Sequence, residues 1–185
     1  MYKALFLNDL YCNNKIFSDY FSFLNNHFDV VDINSDKDLN SYDLLIGFGF
    51  GCFPLLKQLP LLKNKVILMI SPYLDFDMFF KKFNDKDIEY FSKMSGIEKK
   101  YLQPIRDNIK AEPVFLQEQL IENNKVYIVF GDMNKIIPLE YCLKIGMILH
   151  GVSFHLIEDA GYAPFVDKYD TFKNILEEDI INENF

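Results

Sequence analysis

Cysteine is scarce in this chain, and so are long apolar runs. The three cysteines, Cys12, Cys52 and Cys142, are widely spaced and form no CxxC pair. This pattern favours free thiols in a reducing compartment and gives no zinc signature. The apolar runs are of strand length, too short to cross a bilayer, and the N-terminus lacks the apolar stretch and cleavage site of a signal peptide. We therefore expect a cytoplasmic protein without membrane insertion.

Basic residues are in deficit. The chain has 19 Lys and Arg residues against 27 Asp and Glu residues, which gives a net charge of −8 and an isoelectric point of about 4.9. Nucleic-acid phosphates would be repelled by this charge, so nucleic acid is not an expected partner. No internal repeat or low-complexity linker interrupts the 185 residues. A chain of this length fits one domain and buries roughly two thirds of its unfolded surface.

Short apolar runs alternate with helical patterns along most of the chain. The runs predict strands at Lys3–Leu7, Asp29–Ile33, Tyr42–Phe48, Lys65–Ile70, Lys125–Phe130 and Val152–Ile157. Apolar residues at helical spacing predict helices at Lys15–Phe28, Phe50–Leu59, Pro138–Leu149 and Phe165–Ile181. Such alternation is typical of a parallel sheet with helices on both faces.

The middle of the chain has a different character. Between Leu74 and Asn123 no run is convincing as a strand, and helical patterns occur at Phe76–Phe83, Lys86–Met94, Glu98–Lys110 and Pro113–Ile121. We predict a helical insert, about residues 74–123, within a single domain of residues 1–185. Its aromatic residues at helical spacing are more typical of a core than of a ligand channel. If they are exposed around a pocket, they favour an apolar ligand or a partner surface.

Three alternating glycines follow the third predicted strand. Gly47, Gly49 and Gly51 separate this strand from an apolar helix. A strand, the motif G-x-S-x-G and a helix form the nucleophile elbow of α/β-hydrolases, but the middle residue here is Gly49. A glycine turn also suits a phosphate at a helix N-terminus. The dinucleotide motif is G-x-G-x-x-G, however, and Cys52 stands in the place of its last glycine, so nucleotide binding is disfavoured.

Four stretches, in order, resemble the motifs of α/β-hydrolases. They are most similar to small esterases that demethylate pimeloyl-acyl-carrier-protein in biotin synthesis. The H-G-x-x-x-N oxyanion loop of that family corresponds to Asn8–Asn13, and the elbow to Gly47–Gly51. The acid loop G-x-x-D-x-x-x-P corresponds to Gly131–Pro138, and the histidine loop G-H-x-P-F to Gly161–Phe165. The resemblance implies a small α/β-hydrolase fold: a mostly parallel sheet of about six strands flanked by helices, with the insert as a helical cap.

The same resemblance indicates that the catalytic triad is replaced. Where the family has serine, aspartate and histidine, this chain has Gly49, Asn134 and Tyr162. Glycine has no nucleophile, and the amide of Asn134 brings no charge to stabilise an imidazolium. A tyrosine hydroxyl, with an ordinary pKa of about 10, is a poor general base at neutral pH. We therefore expect a catalytically degenerate protein.

Other residues near these motifs are candidate surrogates. Cys52 lies in the first turn of the helix after the glycines, where a thiol pKa is lowered, although cysteine is more often simply buried. Cys12 lies in the loop that faces the same pocket. Asp159 follows the last strand, at the sheet edge where ligands bind in α/β folds. Asp132 flanks the acid loop, and His155, within a strand, is more typical of packing than of catalysis.

The sequence thus leaves three functions open. The first is binding of an acyl ligand, an acyl carrier protein or another protein partner, with no cofactor and no metal. The pocket-lining candidates for this function are Leu10, Phe48, Phe50 and Ser71. The alternative is a divergent carboxylesterase acting on the pimeloyl-acyl-carrier-protein methyl ester through non-standard residues. The third is a structural subunit of a larger complex.

Overall fold

Six parallel strands form the central sheet of the computed structural model, which describes residues 2–9, 12–13, 15–32, 38–72, 84–108, 119–121 and 123–185. In chain order the strands are β1 (Tyr2–Leu7), β2 (Phe28–Asp32), β3 (Leu44–Phe48), β4 (Val66–Ile70), β5 (Lys125–Gly131) and β6 (Ser153–Ile157). Their order across the sheet is β2-β1-β3-β4-β5-β6, and every neighbouring pair is parallel. The prediction of a six-stranded parallel sheet is confirmed.

The inner strands are apolar because both of their faces are covered. Every residue of β3 and β4 is buried, which explains why LLIGF and VILMI read as unbroken apolar runs rather than as alternating patterns. At the sheet edge, β6 is mostly half-buried or exposed: Ile157 is its buried residue, and Leu156 is exposed.

Helices and short helical turns connect the strands. The α-helices are α1 (Lys15–Tyr20), α2 (Cys52–Gln58), α3 (Asp85–Ser95), α4 (Lys99–Asn108), α5 (Leu139–Ile148), α6 (Pro164–Asp167), α7 (Tyr169–Asn174) and α8 (Asn182–Asn184). Turns of 3₁₀-helix lie at Ser22–Asn26, Leu39–Ser41, Gly49–Gly51 and Leu59–Leu61, and a π-helical segment lies at Ile175–Ile181. Within the described ranges, no helix is both long and apolar enough to span a membrane.

Two predicted helices are interrupted. The pattern over Lys15–Phe28 forms α1 and a separate 3₁₀ turn, because Phe21 leaves the helical backbone and its ring is buried against Phe6 and Phe165. The pattern over Phe165–Ile181 is divided at Lys168, whose φ of −138° is not helical. The spacing of apolar residues indicated which side of each segment is buried, but it did not indicate where the helices are interrupted.

The insert contains a strand that the sequence did not predict. Gln119–Leu120 pairs in parallel with Leu149–His150 as a separate two-stranded sheet. The helix predicted over Pro113–Ile121 is therefore wrong at these residues, because their structure is set by a partner far along the chain. The patterns at Lys86–Met94 and Glu98–Lys110 correspond to α3 and α4. Phe76–Phe83 and residues 113–118 lie outside the described residues.

The insert helices share the core of the sheet. Ile88 and Phe91 of α3 and Leu102 of α4 belong to the same cluster of buried residues as β3 and β4. Their role as a cap over a site remains a prediction.

The strand order creates a switch point beside β1. The chain places β2 on one side of β1 and then crosses to place β3 on the other side. In open α/β sheets, ligands bind in the crevice outside the carboxyl ends of the strands at such a point. Asn8 and Asp9 leave β1 at this crevice, and Gly49 leaves β3 there.

Candidate active site

The glycine turn has the strand–turn–helix shape of an elbow. Gly49 follows β3 with a φ of +52°, in the left-handed region that glycine adopts without a steric penalty. A Cβ at Gly47 would lie 2.9 Å from the backbone N of Cys52. A Cβ at Gly51 would overlap the carbonyl oxygen of Leu7. Glycine is therefore required at positions 47 and 51, because neighbouring backbone leaves no room for a Cβ. At position 49 glycine is favoured by the positive φ.

A tight loop after β1 brings a carboxylate to this turn. The Asn8 Oδ1 atom accepts a hydrogen bond from the Asp9 backbone N–H at 2.9 Å. The Asp9 carbonyl accepts one from the Cys12 N–H at 3.1 Å. Asn8 also donates through Nδ2 to the Asn13 carbonyl at 2.9 Å. The loop fixes Asp9 so that its Oδ2 atom accepts the backbone N–H of Phe50 at 3.0 Å.

Tyr162 approaches the same carboxylate from the other side. It lies in the loop after β6 and is only 1% exposed. Its ring packs against Phe48, with centroids 5.0 Å apart, and edge-to-face against Phe91 at 5.2 Å. Its hydroxyl donates to Asp9 Oδ2. Two donors, the Phe50 N–H and the Tyr162 O–H, therefore converge on one carboxylate oxygen.

Asp9 and Tyr162 occupy the space that a nucleophile's side chain would need. A Cβ built on Gly49 would overlap both Asp9 Oδ2 and the Tyr162 hydroxyl oxygen. In the hydrolase elbow, the N–H of the residue after the nucleophile is an oxyanion donor. That residue is Phe50 here, and its N–H is hydrogen-bonded to an internal carboxylate.

Asn134 has a local structural role. Its Oδ1 atom accepts the backbone N–H groups of Ile136 and Ile137, both at 3.0 Å, and closes the turn after β5. Its Nδ2 atom lies 3.4 Å from Ser71 Oγ, and Ser71 Oγ donates to the Tyr162 carbonyl at 2.6 Å. The loops of Gly49, Asn134 and Tyr162 thus meet at one end of the sheet, linked through Ser71 and Asp9.

The thiols proposed as surrogates are poor nucleophiles. Cys52 is fully buried, and its Sγ atom lies 3.6 Å from the Ile70 carbonyl oxygen. Burial raises the pKa of this thiol well above its ordinary value, and the Asp9 charge raises it further. Burial and Asp9 raise the pKa of Cys12 in the same way. Thiols in these surroundings stay protonated at neutral pH, and the protonated form is not the nucleophile.

Unlike the two thiols, the carboxylates proposed as surrogates are exposed, and the proposed histidine lies on the edge strand. The Asp159 side chain is 82% exposed and lies 3.6 Å from Lys168 Nζ. Asp132 is also exposed. His155 lies on the edge strand, with Nδ1 3.6 Å from Asp179 Oδ2. In the described part of the chain, no group of three or more His, Cys, Asp or Glu residues is arranged to hold a metal ion.

The residues predicted to line a pocket differ in their burial, and one of them lies outside the described residues. Phe48 and Ser71 are buried in the packing around Tyr162. Phe50 is half-buried and its ring stacks on Phe53 at 5.6 Å. Leu10 lies outside the described residues, as do the insert phenylalanines Phe76, Phe79, Phe80 and Phe83. Phe91, which also belongs to the insert, is buried against Tyr162.

Asp9 is the residue that sequence reasoning missed. It stands at the glycine position of the H-G-x-x-x-N loop, two residues after the end of the first strand. A large side chain at a position that the family keeps small, paired with a missing side chain at Gly49, was the signal that could have revealed it.

Comparison with known proteins defines the fold. No protein-family model matches the chain, and no curated protein matches its sequence. Among solved structures, carboxylesterase CesB from Bacillus subtilis has a TM-score of 0.69 at 10% identity, over 99% of this chain and 84% of CesB. MenH from S. aureus gives 0.63 at 10%, over 99% and 94%. An epoxide hydrolase variant from Bacillus megaterium gives 0.65 at 14%, over 98% and 94%. The chain has the α/β-hydrolase fold.

Proposed function

We propose that this protein has lost serine-hydrolase chemistry and acts by binding a ligand or a protein partner. The proposal rests on one observation: other side chains of the protein already occupy the elbow. The space for a side chain at position 49 is occupied by the carboxylate of Asp9 and the hydroxyl of Tyr162.

Each part of acyl-transfer chemistry is missing or engaged elsewhere. The reaction needs a nucleophile, a base that removes its proton, and donors for the developing oxyanion. Gly49 provides no nucleophile. The Tyr162 hydroxyl donates to Asp9 and the Phe50 N–H is bonded to the same oxygen.

The alternative of a divergent carboxylesterase requires a non-standard nucleophile. The thiols near the elbow, Cys12 and Cys52, have pKa values raised by burial and by Asp9. The likeness to CesB, at 10% identity, supports the fold and not the activity. We keep esterase activity as the outcome that would contradict the proposal.

Binding away from the elbow is compatible with the surface of α3 and α4. A cavity of about 330 Å³ lies between them, lined by Asp85, Lys86, Ile88, Glu89, Lys99 and Gln103. Its charged lining suits a polar ligand better than an acyl chain. An acyl carrier protein remains a proposed partner, as does another protein.

The test compares wild type with a variant in which the elbow is rebuilt. The rebuilt variant carries Asp9→Gly, Gly49→Ser, Asn134→Asp and Tyr162→His, and its matched control carries the same changes except Gly49→Ser. We expect wild type and control to give no p-nitrophenyl ester turnover above buffer and no fluorophosphonate labelling. The rebuilt variant should be labelled at position 49. Wild-type turnover that is abolished by Cys52→Ala or Asp159→Asn would overturn the proposal and support the esterase.

A further inference from the structure

We propose that the glycine turn is an anion site for a small carboxylate, and that the chain's own Asp9 is its occupant. The native protein thus carries a built-in ligand where an oxyanion would otherwise bind. The inference concerns what fills the turn. It rests on the same occupied elbow as the proposed function, but it is tested by anion binding rather than by esterase activity, so the two can fail separately.

The donors of the site are aimed at one point. The Phe50 N–H and the Tyr162 O–H both donate to Asp9 Oδ2, and hydrogen bonds to an ionised acceptor are stronger than neutral ones. Asp9 is 2% exposed. A carboxylate at this depth needs such donors, because burying a charge without partners is costly.

The frame of the site does not depend on the Asp9 side chain. Phe50 N–H lies in the turn between β3 and α2, where neighbouring backbone leaves no room for a Cβ at Gly47 or Gly51. The Tyr162 ring is held between Phe48 and Phe91. Removal of the carboxylate would therefore leave the two donors directed at the same volume.

The side chain of Asp9 is small enough for a free anion to take its place in a truncated variant. Truncation to glycine removes a group with the shape of acetate, and truncation to alanine removes a group with the shape of formate. Asp9→Gly should therefore prefer acetate and Asp9→Ala should prefer formate. Such size matching distinguishes a shaped site from a general salt effect.

The experiment measures melting temperature in sodium acetate, formate or chloride at equal ionic strength and pH 7.5. For Asp9→Gly, acetate at ten times its dissociation constant should raise the melting temperature by about 3–6 °C over chloride. Wild type should show no difference between the anions. The control is Asp167→Ala, which removes an exposed carboxylate that accepts the Gly161 N–H at 2.8 Å. Equal melting temperatures of Asp9→Gly in acetate and chloride would overturn the proposal.

A second measurement applies if the truncated variants fail to fold. Asp9→Asn keeps the shape of the side chain but removes its charge. We expect the Phe50 amide to exchange with solvent several-fold faster in Asp9→Asn than in wild type, while the amide of Ile46 in β3 is unchanged. Equal exchange at Phe50 would show that no charged acceptor is bound there and would also overturn the proposal.

Discussion

Two independent costs of adding a side chain coincide at Gly49. Its φ of +52° places the backbone in the left-handed region, which costs other L-residues about 1–2 kcal/mol. A Cβ would also overlap Asp9 and Tyr162, and overpacking of a buried site typically costs about 1–3 kcal/mol. Gly96, the residue after α3, has a similar φ of +69° but nothing within 4 Å of an added Cβ. A substitution at Gly96 therefore measures the cost of the left-handed backbone without the cost of steric overlap.

The comparison of these glycines gives a prediction. Gly96→Ala should lower the free energy of unfolding by about 1–2 kcal/mol, and Gly49→Ala by about 2–5 kcal/mol, as measured by urea titration. In an Asp9→Gly background, the cost of Gly49→Ala should fall but stay above that of Gly96→Ala, because the overlap with the Tyr162 hydroxyl remains. Equal costs for both glycines in the native background would contradict the filled elbow.

Asn134 gives a second prediction at this scale. Asn134→Ala removes the acceptor of two backbone N–H groups and should lower the free energy of unfolding by about 1–3 kcal/mol. Asn134→Asp keeps that acceptor and should cost less than about 1 kcal/mol. The exposed Asn182→Ala, as a control, should stay within about 0.5 kcal/mol of wild type. A larger loss in Asn134→Asp than in Asn134→Ala would show that burying a charge at this position costs more than losing the acceptor of the turn.

Part of the site was readable from sequence because its motifs are local. The glycine spacing around Gly49, and the loops that hold Asn134 and Tyr162, each follow a recognisable strand. The contact between Asp9 and Tyr162 joins residues 153 positions apart. A contact of that kind depends on strand order and on side-chain direction, which no local pattern contains.

Among the elements, α3 is the one whose ends the sequence marks well. Asn84 and Asp87 form a capping box at its start, and Gly96 ends it in a left-handed conformation. The helical pattern at Lys86–Met94 had predicted this helix to within a residue of its observed bounds, and these end signals account for where it begins and ends. The pair Gln119–Leu120 and Leu149–His150 lacks such signals, because each two-residue strand exists only through its partner.

The packing of α3 on the site gives a third prediction. Phe91 is fully buried and its ring meets Tyr162 edge-to-face. Phe91→Ala should lower the free energy of unfolding by about 3–5 kcal/mol through the cavity it leaves. On the same helix the exposed Lys93→Ala should change it by less than about 0.5 kcal/mol. A loss below about 1 kcal/mol for Phe91→Ala would show that α3 does not support the Tyr162 ring.

At the scale of the whole molecule, the alternation of apolar runs and helical patterns was sufficient to predict the parallel sheet. Unbroken apolar runs such as those of β3 and β4 are typical of strands that are covered on both faces. The order of the strands was not readable from the runs, and the sequence analysis predicted none; it is given by the structure. The long C-terminal pattern predicted one helix where the chain forms α6, α7 and a π-helical segment.

Burial of the thiols makes stability depend on pH. Burial raises the pKa of Cys52 and Cys142 in the native state, whereas an unfolded thiol has a pKa of about 8.5. The stabilisation is complete below a pH of about 8.5, and above it the unfolded chain loses protons that the native state keeps. The free energy of unfolding should fall by up to about 1.4 kcal/mol per thiol per pH unit.

The measurement is a series of urea titrations between pH 7.5 and 10. This range ends below the titration of Tyr90, whose pKa burial raises to about 12. In Cys142→Ala, the free energy of unfolding should decline less steeply with rising pH than in wild type. The difference should equal the contribution of one thiol. Parallel declines in the two proteins would mean that Cys142 ionises as readily in the native state as in the unfolded chain.

The overlap at the elbow also imposes an order on sequence change. A serine at position 49 and a carboxylate at position 9 claim the same volume, so one chain does not accommodate both. In any series of single substitutions that joins a serine elbow to this one, the serine leaves before the carboxylate arrives. In the reverse direction, a lone Gly49→Ser change meets Asp9 and loses folding stability before any chemistry is available for selection. The carboxylate at position 9 therefore opposes the return of a serine to position 49 by single substitution.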